Sequence, residues 1–309
     1  MKLYNKVKSI GMVAVASLAL SSCELELLPL NEIVLENFWT NKDDVQSVVN
    51  GCYSGLTESA VVNRMIVWGE VRGDNVKEGK VTAGNDLRYM LTGNVLQTNQ
   101  YCEWSSFYTV INRCNTVIYY APEVAAKDPN FTNSDLAVTI AEAKTIRALN
   151  YFYLIRAFKN VPFTFSPSID DTQELYFPAS TQSVILDSLI LDLEEYKDFA
   201  PRRYEQENKN SGRITRNAIY SLLADLYLWR ASDAEVDPAT RYADYQRCVE
   251  CCDYVIKSKV QEYEDDIYGS LKRQISRTLY LETGYPLIEE WNESDGGSGP
   301  VNAKAYNLI

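Results

Sequence analysis

The 309-residue sequence contains no histidine, which removes the commonest metal ligand and the usual general base near neutral pH. Ser-His-Asp catalysis, Cys-His catalysis and any histidine-built zinc centre are excluded with it. A basic surplus is also missing: 30 Lys and Arg stand against 42 Asp and Glu, for a formal net charge of −12. An acidic surface repels phosphate backbones, so nucleic acid is not an expected partner. Cysteine is present but lacks metal-site spacing. Cys248, Cys251 and Cys252 have no second ligand pair at zinc-like distance, so they read as small core residues on a helix, as do Cys52 and Cys114. Asp233 and Asp237 could hold a cation with backbone carbonyls, but isolated loop aspartates are more often turn or capping residues. Glu194 and Glu195 are adjacent, so on a helix they diverge, and a solvated face is expected rather than acid/base work. Catalytic residues, metal ligands and cofactors are therefore all expected to be none.

What is present begins at the amino terminus. Residues 1–22 place Lys2, Lys6 and Lys8 ahead of an apolar run at 10–20 and then small residues, the pattern of a secretory signal. That run is shorter than the roughly 20 residues that span a bilayer. It ends in Leu20-Ser21-Ser22-Cys23, which resembles a bacterial lipobox, so Cys23 is expected to be diacylated and to become the mature N-terminus. An ordinary signal peptide cut near an incidental cysteine is the alternative. More than one acyl chain gives stable anchoring. Loss of the three leader lysines takes the mature chain to −15. Residues 23–40 read as a lipid-anchored tether, and 41–309 as the folded domain.

The body of that domain reads as helical. Residues 141–163 hold no Gly or Pro before Pro162 and are rich in good helix formers. Ile146, Leu149 and Tyr153 mark one apolar stripe and Ala148, Phe152, Ile155 and Phe158 another, as in a helix packed on several sides. Pro162 disfavours helical geometry at Val161, so the helix should stop there. Thr40–Asp43 forms a capping-box-like start to a helix carrying Val45, Val49, Cys52 and Leu56. Phe107, Ile111, Cys114 and Ile118 mark another, which Pro122 should end. Leu186, Leu189, Ile190, Leu193 and Tyr196 mark a helix that ends before Pro201. Thr215 is a plausible N-cap for the run through Ala218, Leu222 and Leu226. A last helix places Tyr245, Cys248, Val249, Cys252, Val255 and Ile256 on one face, and its pattern decays beyond Lys259. By contrast, 61–99 is interrupted by five glycines and is expected to form exposed, irregular loops of functional importance.

Glu142, Ala143, Lys144, Arg147, Ala148, Tyr151, Tyr153, Leu154, Arg156, Phe158, Asn160, Val161 and Pro162 resemble the signature of the SusD/RagB family of Bacteroidetes outer-membrane nutrient-binding lipoproteins. Trp104, Tyr108, Ile111, Asn112 and Asn115 resemble a second helix motif of that family. Gly212, Arg213, Thr215, Ala218, Leu223, Ala224, Tyr227 and Leu228 resemble a further one. Glu24 and Glu26, just after Cys23, resemble a surface-export signal. The resemblance implies an all-α fold of tetratricopeptide-like helical hairpins packed against an irregular, loop-rich region. Family members are longer, so a chain truncated at its C-terminus is expected. The implied function is capture of a glycan or other oligomeric nutrient and its delivery to a SusC-like TonB-dependent transporter. The implied place is the outer membrane, lipid-anchored and facing outward.

Within 61–99 and the residues just after it, Trp68, Arg72, Asp74, Arg88, Tyr89 and Tyr101 are the candidate ligand contacts, since aromatic faces stack on sugars and Arg and Asp bond hydroxyls. Alternatively, Trp68 and Tyr89 pin the loops to the core. Two competing functions stay open at this point. A glycosidase needs only two carboxylates, though no recognisable acidic pair supplies them. A helical scaffold could instead dock other proteins.

Overall fold

A computed structural model describes residues 38–73, 75–79, 84–170, 172–174 and 176–271, with backbone alone at 264 and 266–271. In chain order these form α1 (Lys42–Thr57), α2 (Ser59–Ile66), a π-helical turn (Val67–Val71), α3 (Asn85–Thr92), a 3-10 turn (Gln100–Cys102), α4 (Ser105–Lys127) and α5 (Asn133–Phe158). A two-residue strand pair follows, β1 (Val161–Pro162) and β2 (Ala179–Ser180), then α6 (Gln182–Tyr196), α7 (Glu207–Gly212), α8 (Arg216–Ser232) and α9 (Pro238–Leu271). The architecture is all-α and tetratricopeptide-like: α4 packs on α5, α5 on α6, α6 on α8 and α8 on α9.

Central α5 is buried at nearly every position from Thr139 to Ile155. It begins eight residues ahead of the expected start, because Thr132 caps it: Thr132 Oγ1 accepts from Asp135 N, and the Asp135 carboxylate accepts from Thr132 N in return. The helix closes at Phe158. Lys159 there has φ 67° and ψ −72°, the strained γ-turn region, and Asn160 N donates to Phe158 O at 2.9 Å across it. The turn throws the chain into β1, which pairs antiparallel with β2 in the register Val161↔Ser180.

Three charged residues of α5 lie inside the bundle, and each ties it to a neighbour. Glu142 accepts from Tyr53 Oη of α1 at 2.8 Å and lies 3.1 Å from Arg213 Nε. Burial pushes its carboxyl above the ordinary value against the opposing pull of Arg213, Tyr53 and Tyr204. Lys144 Nζ reaches Asp192 of α6 at 2.6 Å and the Tyr196 ring at 3.8 Å. Arg147 donates to Asp192 at 2.6 Å and to Asn115 of α4 at 2.8 Å, under the Phe165 ring. Much of the family-like motif therefore works as interhelical cement: a buried charge persists only where paired.

Several expectations need correction. The cap of α1 is Asn41, not Thr40; its Oδ1 accepts from Asp43 N at 2.8 Å, and Asp44 closes the capping box. Pro122 lies inside α4 rather than at its end. It is exposed, so water can satisfy the carbonyl it frees, while buried Ala121 and Val124 hold the helix on. Segment 61–99 is not all loop, since α2, the π-helical turn and α3 occupy much of it. On α9 the buried residues, among those whose side chains are described, are Asp244, Cys251 and Val255, whereas Tyr245 and Val249 are exposed and Cys252 lies outside as well. The helix also continues past Lys259 to Leu271. Glu194 is no solvated carboxylate: it accepts from Tyr227 Oη at 2.9 Å and Arg247 at 2.7 Å, joining α6 to α8 and α9.

The described cysteines are free thiols. Cys52 and Cys114 are buried against each other where α1 crosses α4, and burial raises the Cys114 thiol well above its ordinary value. That crossing is close: a Cβ on Gly55 would stand 2.6 Å from Val110 Cγ2. No described helix is long and apolar enough to cross a membrane. Cys23 and the 1–22 leader lie outside the described residues.

Candidate functional site

At the junction of α2 and the π-helical turn, the chain changes pitch and turns Trp68 onto the end of α5. Such single π turns occur often at functional sites. Trp68 stacks on Phe107 with centroids 4.8 Å apart and meets Phe158 edge-on at 5.2 Å. Its Nε1 donates to Tyr101 O at 2.8 Å. The indole is thus an anchor and, at the same time, part of a cavity wall.

The segment around Tyr101 is held from two sides. Arg64 of α2 donates from Nε to Glu103 O at 2.6 Å and from Nη2 to Gln100 O at 2.8 Å. Buried Asn99 bonds Asp86 O of α3 through Nδ2 at 2.9 Å and accepts from Tyr101 N at 3.0 Å. Gly93, at φ 72°, ends α3 in the left-handed region that glycine adopts freely, so the chain can turn back over the site.

Between these parts lies a cavity of 220 Å³ lined by Trp68, Arg72, Tyr101, Arg156 and Phe158, with Met90, Gly93, Val95, Cys102 and Ala157 completing the walls. Three sequence-derived candidates, Trp68, Arg72 and Tyr101, meet here. Arg88 does not: it pairs with Glu78 at 2.7 Å, and that carboxylate raises its pKa. Tyr89 is half-buried on α3 and is not among the lining residues. Asp74 lies outside the described residues.

Arg156 and Phe158 were not foreseen as site residues, because they sit in the family-like motif and read as core. A signal existed, however. Arg156 is the sole charged residue between Arg147 and Lys159, and in the fold it is exposed while Leu154 and Ile155 beside it are buried. Its guanidinium lies over three rings, 5.1 Å from Phe152, 5.9 Å from Tyr153 and 5.2 Å from Trp229.

Two other cavities are larger. One of 390 Å³ lies over Glu142, with Lys42, Lys209 and Arg213, and one of 470 Å³ lies between Asn115, Tyr119 and Phe165. Much of their polar lining is engaged within the fold: Arg213 with Glu142, Lys42 with Asp135, Asn115 with Arg147. Among the described residues, no group of three or more Cys, Asp or Glu could hold a metal ion. Asp233 Oδ1 accepts from Glu235 N, and Asp237 Oδ1 from Ala239 N and Thr240 N. These are turn and capping roles.

The fold is a body of helical hairpins with a cavity lined by aromatic residues and two arginines at one end of its central helix. The model of a SusD-like family, described as starch-binding and associating with the outer membrane, matches residues 31–228. The chain belongs to that family, which is one of carbohydrate-binding proteins rather than enzymes. A SusD-like protein of Formosa agariphila is 26% identical over 199 residues, covering 63% of this chain and 38% of its own length. One of Bacteroides ovatus is 23% identical, covering 95% and 52%. The chain thus spans about half the length, or less, of these curated relatives. Among solved structures, a SusD superfamily protein of Bacteroides thetaiotaomicron superposes with a TM-score of 0.57 at 19% identity, covering 79% of this chain and 51% of that one. A laminarin-binding SusD-like protein gives 0.55 at 20%, covering 70% and 43%. At such identities these likenesses speak for the fold alone.

Proposed function

We propose that this chain captures a glycan at the cell surface and passes it to a TonB-dependent outer-membrane transporter of the SusC kind, held to the membrane by lipid on Cys23. The observation that carries glycan capture is the cavity at the end of α5, where Trp68, Tyr101 and Phe158 supply aromatic surface and Arg72 and Arg156 supply donors. Rings offer a large apolar area at low entropic cost, and guanidinium groups fix the orientation of what lies on them. The family description and the name of the laminarin-binding neighbour favour a polysaccharide over a peptide. Transporter delivery and the lipid anchor rest on the family resemblance and on the Leu-Ser-Ser-Cys order.

Purified mature protein screened on a glycan array, with released sugar assayed in parallel, tests this reading. Retention of a glycan without sugar release is the expected result. Steady release of reducing ends would overturn it in favour of a hydrolase. Co-purification of a β-barrel transporter after mild membrane solubilisation tests the delivery step.

A further inference from the structure

The cavity at the end of α5 has a charge character opposite to that of the chain. Net charge is −12, yet the ionisable side chains that line this cavity include two arginines and, among the described residues, no Asp or Glu. Neither Arg72 nor Arg156 has a carboxylate partner among the described residues, whereas Arg64, Arg88, Arg113, Arg147, Arg213 and Arg230 each face one. Arg156 is not loose for lack of an ion pair. Its guanidinium lies 5.1–5.9 Å from the faces of Phe152, Tyr153 and Trp229, beside the cavity that Arg156 lines, and ring-face contacts of this kind consume none of its N–H donors.

We propose that the ligand of this cavity is an anionic glycan unit, one bearing a carboxylate or a sulfate ester, gripped between Arg72 and Arg156 over the aromatic floor. This rests on the reading of the cavity as the glycan site and names the class of sugar it takes. A carboxylate or sulfate accepts two parallel N–H bonds from a guanidinium fork, a geometry that hydroxyls match less well, and the charge-assisted bonds are about twice as strong. The volume of 220 Å³ lies below the roughly 300–1,000 Å³ of pockets that enclose drug-sized ligands. It suits one sugar residue, so recognition centres on a single charged unit of the polymer. The acidic surface elsewhere does not forbid this. Its field is screened beyond about 8 Å at physiological ionic strength, while contact bonds inside the cavity are not.

The test measures binding of the full chain to two matched probe pairs: oligogalacturonate with its carboxyl-reduced form, and a sulfated galactan oligosaccharide with its desulfated form. Arg72→Gln, Arg156→Gln and Tyr101→Ala are measured alongside, each with its melting temperature. One anionic probe should bind at least tenfold more tightly than its neutral counterpart, and each Arg→Gln change should weaken it by about tenfold or more, the scale of one charge-assisted hydrogen bond. Which pair responds tells carboxylate from sulfate. Equal binding of charged and neutral partners, weakened by Tyr101→Ala but not by either Arg→Gln, overturns the anionic preference and leaves the cavity as the site. Charged preference indifferent to all three changes overturns both. Binding of neither anionic probe also overturns the proposal.

Discussion

Arg147 of α5 and Asp192 of α6 meet at 2.6 Å with both side chains almost wholly buried, and Lys144 reaches the other oxygen of the same carboxylate at 2.6 Å. One acid thus serves two cations inside the bundle. Removing it strands Arg147 without a carboxylate and leaves Lys144 only the more distant Glu195 at 3.4 Å, so Asp192→Ala should cost on the order of 3–5 kcal/mol. Urea unfolding measures this, and a loss below about 1 kcal/mol would mean that water reaches the triad.

Ala148 has no exposed surface and lies in the apolar core between the helices that flank α5. Ala148→Asp brings an unpartnered carboxylate there, which costs several kcal/mol or forces protonation, so the variant should be poorly folded at neutral pH. A melting temperature within a few degrees of wild type would contradict the central placing of α5.

Glu194 carries a pH signature. Burial pushes its carboxyl up, but the bonds from Lys197, Arg247 and Tyr227 outweigh burial and hold it below the ordinary 4.5. A depressed native pKa contributes stability that is present above the unfolded value and lost as pH falls through the native one. Glu194→Gln should therefore be less stable than wild type at pH 7, and the gap should close as pH falls below about 4.5. Urea midpoints at pH 7 and pH 3 decide this; a gap that widens towards acid is the contrary result.

The helical body was legible because apolar period and capping residues agreed, as at Thr215, whose Oγ1 accepts from Ala218 N. Failures arose where tertiary contacts overrode local pattern. Tyr245, Val249 and Cys252 form an apolar row at helical spacing, yet α9 is turned to bury Asp244, because Arg230 of α8 clasps that carboxylate with bonds of 2.8 and 2.6 Å. No period can reveal that pairing. The glycines of 61–99 suggested open loops, but Gly69 sits within the π-helical turn and Gly93 caps α3. At the site, Trp68, Arg72 and Tyr101 were legible as polar and aromatic residues in an irregular stretch. For Arg156 the lone charge between Arg147 and Lys159 was the one signal, and it did not by itself point to the site, since its exposure depends on where α5 ends against its neighbours.

The anchor is tested at Cys23. Labelled fatty acid should enter the wild-type chain when it is expressed in a bacterial host, and Cys23→Ser should yield unlabelled, unprocessed or soluble protein. Equal labelling of the variant contradicts the lipobox reading.

Whether glycan is held in the cavity at the end of α5 is tested most directly by Tyr101→Ala. Tyr101 lines the cavity, and its hydrogen bond from Trp68 is made to its backbone carbonyl, so truncation of the ring leaves that support in place. Calorimetric titration with a glycan retained by the wild-type chain should show affinity reduced by roughly 1–3 kcal/mol, the scale of one aromatic stacking platform, at an almost unchanged melting temperature. Unaltered affinity, or a fall in melting temperature with affinity intact in the folded fraction, would place glycan capture elsewhere on the chain.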